Sequence, residues 1–300
     1  MARKRDVVIA VIIAVVFLVV FVFVGLMFIG LLTEGGDFDL AGMGGDVGVI
    51  ELYGIIDEPS GRKWIKQIDK WAESNSIKAI VIHLNSPGGG VAISQEVYDA
   101  VLRARENKPI VAAMASIAAS GAYYVACGAD RVIANPGTLT GSIGVIIQFY
   151  TAGELMDKIG VRIETVKSGE LKDVLSFSRP MTEKEELMLR SVVMDSYEQF
   201  VEVVAGGRGK DKEEIYPLAD GSIFTGLQAC NLGLVDTLGG FEEAVSLAAE
   251  LAEIEGEPKI VRPYERKKVS IFDLMGGLIG RIDRGVENGL CGPQIMYLYR

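Results

Sequence analysis

Two short stretches of this chain carry the groups that acyl transfer needs. Asn85-Ser86-Pro87-Gly88-Gly89-Gly90 closes an apolar run from Ala79 to Leu84 and opens a helical pattern. Ala118-Ala119-Ser120-Gly121-Ala122-Tyr123-Tyr124 sets a serine among small residues at the start of a second helical pattern. A glycine-rich strand-to-helix turn lets backbone N–H groups approach a ligand closely, and glycine accepts the positive φ such turns need. A serine flanked by Ala and Gly can meet a carbonyl carbon without steric obstruction. The pair suggests an oxyanion hole and a nucleophile.

The general base is harder to place. A Ser-His-Asp triad would need His83, the single histidine of the chain. It lies inside the strand pattern Ile80-Val81-Ile82-His83-Leu84, where a lone histidine reads as a structural residue. The G-x-S-x-G nucleophile elbow is absent around Ser120. Carboxylates at their ordinary pKa are weak bases toward a hydroxyl, and a neutral lysine suits the task better. Lysine ordinarily titrates near about 10.4, and burial lowers it by up to about 3–5 units. Lys172, in Lys167-Ser168-Gly169-Glu170-Leu171-Lys172-Asp173-Val174-Leu175, has a glycine turn before it and Leu171, Val174 and Leu175 as apolar walls. Spacing alone does not separate it from Lys167, or from a solvated surface lysine.

These groups need a scaffold, and the hydrophobic pattern supplies one. Strand patterns cover Val47–Tyr53, Ala79–Leu84, Ile110–Met114, Val132–Ala134, Gly144–Tyr150, Val161–Val166 and Lys259–Val261. Helical patterns cover Arg62–Glu73, Val91–Arg105, Ser120–Cys127, Glu154–Ile159, Thr225–Asn231 and Phe241–Leu251. Thr182 with Glu185 three residues on forms a capping box for a long helix to about Val204. This alternation predicts an α/β domain with largely parallel strands. Ile271, Leu274, Met275, Leu278, Ile279 and Ile282 give the tail a helical spacing that Gly276, Gly277 and Gly280 weaken. That tail reads as a helix docked on the body, with a membrane-surface helix or a segment in a substrate groove as alternatives.

Ahead of the domain, Arg3, Lys4 and Arg5 precede a run from Val7 to Leu32 without a charge. The run exceeds the roughly 20 residues that span a bilayer, and no Ala-x-Ala cleavage pattern follows. It predicts an uncleaved signal anchor with a cytoplasmic N-terminus and an extracytoplasmic body. The expected organisation is therefore 1–32 N-terminus and anchor, 33–45 Gly/Asp-rich linker, 46–262 catalytic domain and 263–300 tail. A net charge of −10 argues against nucleic acid as a partner. Cys127, Cys230 and Cys291 have no metal-ligand spacing, and no cofactor or metal is expected; Cys127 and Cys230 read as buried free thiols. No P-loop is present, so ATP-driven unfolding is unsupported and substrates must arrive already unfolded.

Asn85-Ser86-Pro87-Gly88-Gly89, Ala119-Ser120-Gly121-Ala122-Tyr123-Tyr124, Thr140-Gly141-Ser142-Ile143-Gly144-Val145 and Gly169-Glu170-Leu171-Lys172-Asp173 stand in one order along the chain. Over roughly Asp46 to Glu255 they resemble the signal peptide peptidase A family, membrane serine proteases with a Ser/Lys dyad in the ClpP/crotonase structural class. The resemblance implies Ser120 as nucleophile and Lys172 as general base. It further implies an oxyanion hole from the N–H groups of Gly89 and Gly121, with Gly88 as fallback, and Ser142 as the serine that orients the lysine. It implies a ClpP/crotonase-like spiral of ββα units, a ring-shaped homo-oligomer, and remnant signal peptides or other short apolar peptides as substrates. Two other readings keep part of the pattern. One is a related membrane protease specific for a stomatin-like membrane protein. The other is a crotonase-like protein, either an acyl-CoA enzyme or a non-catalytic membrane scaffold.

Overall fold

The structure is a computed structural model that describes residues 16–21, 45–263 and, for the backbone, 295–298. The chain divides into two compact units, Met1–Gly42 and Met43–Arg300. Of the first, residues 16–21 are described and are helical. Among the described residues no helix is long and apolar enough to cross a membrane. Most of the predicted anchor, nearly all of the linker, the apolar tail pattern and Cys291 lie outside the described residues.

The second unit begins with β1 (Val47–Tyr53), α1 (Glu58–Glu73), β2 (Ala79–Ser86), β3 (Gly88–Gly90), α2 (Val91–Arg105), β4 (Ile110–Ala119) and α3 (Gly121–Ala126). It continues with β5 (Arg131–Ala134), β6 (Leu139–Gly141), β7 (Ile146–Ile147), α4 (Gly153–Lys158), a 3-10 turn at Glu170–Asp173, α5 (Glu183–Arg208) and α6 (Lys212–Ile215). Then come β8 (Ile223–Thr225), α7 (Gly226–Asn231), β9 (Thr237–Leu238), α8 (Phe241–Leu251), β10 (Ile260–Val261) and β11 (Ile295–Leu298).

The main sheet runs β10-β1-β2-β4-β5-β9, all pairs parallel, as the helix–strand alternation predicts. Its central strands are apolar on both faces because both faces are covered. Ile50, Leu52, Ile80, Ile82, Ala112 and Met114 face the large core beneath α1, α2, α3 and α5. Their alternates Val49, Val81, Val111 and Ala113 pack under α8 through Ala244, Val245 and Ala248.

One irregularity shapes everything that follows. Leu84 pairs with Met114, but Ser86 pairs with Ala118, so β4 gains two residues on its neighbour. A strand with extra residues bends and re-aims its end. Beyond the irregularity β4 leaves β5 and pairs with β6 through Ile117–Ala119, and β6 pairs antiparallel with β8. The spacing predicts only Ile110–Met114; the partner that extends β4 to Ala119 is a short strand with no pattern of its own.

Two predicted strands differ. Residues 161–166 form no strand, and Val166 is fully exposed, because no sheet edge is offered to them. Gly144–Tyr150 shrinks to Ile146–Ile147, which pairs not with the main sheet but with β11.

Candidate active site

The re-aimed end of β4 delivers Ser120. It sits between β4 and α3 with φ 55° and ψ −120°, a conformation sparsely populated by residues with a side chain. The surroundings over-determine it. Its N–H donates to the Gly141 carbonyl at 2.8 Å, and its carbonyl accepts from the Tyr124 N–H at 2.9 Å. Ala118, Ala119, Gly121 and Ala122 are buried, so only small residues fit around the turn. Every residue of α3 is buried, and the Tyr123 hydroxyl anchors the helix to the Leu234 carbonyl at 2.8 Å. The strand–serine–helix turn is thus an elbow in geometry without the G-x-S-x-G sequence. Ser120 Oγ is buried and has no hydrogen-bond partner among the described residues.

The glycine strand is as closely held. Pro87 lies between β2 and β3, and Gly88 takes φ 105° with its N–H donating to the buried Ser86 hydroxyl at 3.1 Å. Ile56 donates to the Gly88 carbonyl at 2.9 Å and accepts from the Gly90 N–H at 2.9 Å. By strand alternation the Gly89 N–H faces the opposite edge. A Cβ on Gly89 would stand 2.0 Å from the Ile56 carbonyl oxygen, so no other residue fits. Of the glycines proposed as oxyanion donors, Gly88 therefore has its N–H engaged by Ser86, while Gly89 faces outward. Gly121 opens α3 directly after Ser120.

That outward edge is occupied. β11 pairs antiparallel with β3, Tyr297 opposite Gly89, and on its other side with β7, Met296 opposite Ile146. The result is a three-stranded sheet, β3-β11-β7, whose middle strand also contacts α3. An extended chain of this protein lies beside the glycine strand and the helix that Ser120 begins.

Ser142 follows Gly141, the residue that clamps Ser120, and takes φ 49° with its N–H donating to the Ser222 carbonyl at 2.7 Å. The fold thus brings Ser120, Gly121, Ser142 and the glycine strand into one framework. Lys172 lies apart from it in bonding. It is exposed, in the 3-10 turn Glu170–Asp173, and no hydrogen bond or ion pair engages its ammonium among the described residues. Lys167 is committed elsewhere, to the Glu170 carbonyl at 3.0 Å and the Asp173 carboxylate at 2.6 Å.

His83 is engaged by structure. Its Nδ1 shares a hydrogen bond with the Tyr53 hydroxyl at 2.7 Å, and its ring packs 4.9 Å from Phe241. Burial lowers its pKa, against an opposing pull from Glu51. Cys127 is a buried free thiol whose pKa burial pushes up to about 11, and Cys230 is free and half-buried. Among the described residues no group of His, Cys, Asp or Glu could hold a metal.

Sequence reasoning missed the supports of the Ser120 turn. Gly141 as the clamp on Ser120, Ser86 as the clamp on Gly88, and β11 as a strand partner carry no local signal. They arise from long-range pairing.

Comparison with known proteins agrees with this geometry. The family model described as Peptidase family S49 matches residues 103–255, and the one described as Clp protease matches residues 39–139. A putative protease of Synechocystis sp. is 40% identical over 228 residues, covering 76% of this chain and 82% of that protein. A putative signal peptide peptidase SppA of Enterococcus faecium is 38% identical over 67% of this chain and 58% of its own length. Protease 4 of Salmonella typhi is 35% identical over 72% of this chain but 36% of its own length. With a constrained serine at a strand–helix turn and a family match over half its length, the chain belongs to peptidase family S49 and is a serine peptidase.

Proposed function

We propose that the protein is a membrane-anchored endopeptidase with a Ser120/Lys172 dyad that degrades remnant signal peptides and other short apolar peptides without ATP. The observation that carries this reading is the pairing of β11 with both β3 and β7 beside the Ser120 elbow. A groove that accepts one extended chain as its middle strand suits an extended peptide substrate.

In the proposed reaction, neutral Lys172 takes the proton of Ser120 Oγ as that oxygen attacks the substrate carbonyl carbon. The oxyanion is received by the N–H groups of Gly89 and Gly121. The Lys172 ammonium then returns the proton to the leaving amine, and water releases the acyl group by the reverse roles. Ser142, one residue beyond the clamp on Ser120, orients the lysine.

Because Lys172 is exposed and unbonded while Ser120 Oγ is buried, assembly supplies the approach between them: a neighbouring subunit of a ring brings its Lys172 to this Ser120. Tyr150, Leu155, Ile159, Val166 and Leu187 leave large apolar side chains exposed along residues 150–187, which supports this reading. The run Val7–Leu32 serves as anchor, with the catalytic domain outside the cytoplasm, and the Clp protease match supports the spiral of ββα units.

The test is hydrolysis of an apolar fluorogenic peptide by the full chain in detergent, with Ser120→Ala, Lys172→Ala and His83→Gln alongside. Loss of about 10⁴-fold or more in the first two is expected, as for members of one catalytic unit. Turnover that survives Lys172→Ala but not His83→Gln would overturn the dyad. Sedimentation of the same sample reads the ring.

A further inference from the structure

The turn that bears Lys172 is rich in acid. Glu170 and Asp173 flank the lysine within the 3-10 turn Glu170–Asp173, and either could form an ion pair with it. Among the described residues neither does, and each is held by other cations. Glu170 pairs with Lys184 on α5. Asp173 is gripped from two sides, by Lys167 at 2.6 Å and by Arg179 at 2.9 Å, the latter also through Nε at 3.2 Å.

Arg179 is itself fixed. Its other face donates to Glu185 at 2.9 Å, and the Glu185 side chain is only 2% exposed. Glu185 is the N3 residue of the capping box of α5: its carboxylate accepts from the Thr182 N–H at 2.8 Å, and the Glu185 N–H donates to the Thr182 hydroxyl. A chain of contacts therefore runs from the N-terminus of α5, through Glu185, Arg179 and Asp173, to the turn. Apolar packing gives no such anchor, for the 3-10 turn buries no residue.

We propose that Arg179 is a positioning residue of the peptidase: it holds Asp173 away from Lys172 and ties the lysine-bearing turn to the cap of α5. This rests on the reading of Lys172 as the base. The charged groups around the lysine are Glu170 and Asp173 on its own turn, Lys167 before it, Arg179 after it, and Lys184 and Glu185 on α5. Asp157, Arg162 and Glu164 line the cavity that Asp173 and Arg179 share. Lys167 holds Asp173 Oδ1, whereas among the described residues Oδ2 is held by Arg179; without Arg179 that oxygen would be free to favour a charged ammonium beside it. The held-down pKa of Asp173, about 2 and chiefly from Arg179, agrees with the grip.

The test is the pH profile of kcat/KM for the full chain with Arg179→Gln, Arg179→Lys, and Arg179→Gln combined with Asp173→Asn. Arg179→Gln should move the rising limb to higher pH by about one unit and lower the rate near neutrality about tenfold. The combined variant, with no carboxylate to release, should return the limb, and Arg179→Lys should fall between. A limb in Arg179→Gln that superimposes on the parent, with Lys172→Ala inactive, overturns this inference alone. Turnover by Lys172→Ala overturns the lysine reading and this inference together. A fall in rate equal at every pH, unrelieved by Asp173→Asn, assigns Arg179 to folding only and equally overturns it.

Discussion

The region around Ser120 and the region that carries Lys172, the proposed base, are built on different physics. Around Ser120 the elbow, the glycine strand and α3 are embedded in the main core, and their backbone conformations are enforced by neighbours that cannot move. Between Tyr150 and Pro180 the chain buries no residue at all, and its order rests on a short helix, a 3-10 turn and a run of ion pairs. Ser120 is held by the core of its own chain. Lys172, the proposed base, sits on a region whose apolar side chains face outward and whose cohesion is electrostatic. Under the proposed dyad, such a division would let a rigid attacking group be matched with a base that assembly brings into place.

The comparison can be broken at either half. The largest effect after the dyad itself is expected from Gly89→Ala, where the added Cβ meets the Ile56 carbonyl at 2.0 Å. If Gly89 is the proposed oxyanion donor, displacing it should lower kcat about 10²–10³-fold, and overpacking should cost about 1–3 kcal/mol of stability in denaturant melts. A fully active Gly89→Ala would show that the glycine strand is not part of the reaction.

Acid should separate the two halves next. The Arg179 guanidinium holds both Asp173 and Glu185 down to about 2. A carboxylate with a depressed folded pKa contributes stability that is complete above its ordinary value near about 4 and is lost as pH falls toward about 2. Hydrogen exchange across that window should open residues 167–185 while the β4–α3 elbow stays protected. Simultaneous opening would merge the halves into one cooperative unit.

A smaller sign of the same division lies in the thiols. Cys127, at the end of α3 with its pKa pushed up to about 11, should resist alkylation in the native protein, and Cys230, half-buried, should react before it. Mass spectrometry of the labelled chain reads the order. The smallest effect is expected from His83→Gln, which loses the Tyr53 hydrogen bond and the Phe241 contact at a cost of about 1 kcal/mol and leaves kcat within about twofold.

How much could be read from residues alone follows the same line. Val91–Arg105 and Phe241–Leu251 stand where their periodicity predicts, and the Thr182 capping box starts α5, because these signals are local. The close packing around Ser120 and the glycine strand was legible from their small residues, which leave a compositional trace. Residues 161–166 look like a strand yet pair with nothing, for an apolar alternation states a preference and only a free edge fulfils it. The grip of Arg179 on Asp173 and Glu185 was invisible, because Arg179 sits in a loop and ion pairs there follow no period.

The strand Ile295–Leu298 completes two sheet edges that would otherwise be open, and open edges are where chains aggregate. Because it is covalently part of the same molecule, dilution cannot remove it. Under the proposed function, a peptide arriving beside Gly89 would have to displace a strand of the same molecule, so binding would depend on how well it replaces the pairing of Ile295–Leu298 with both edges.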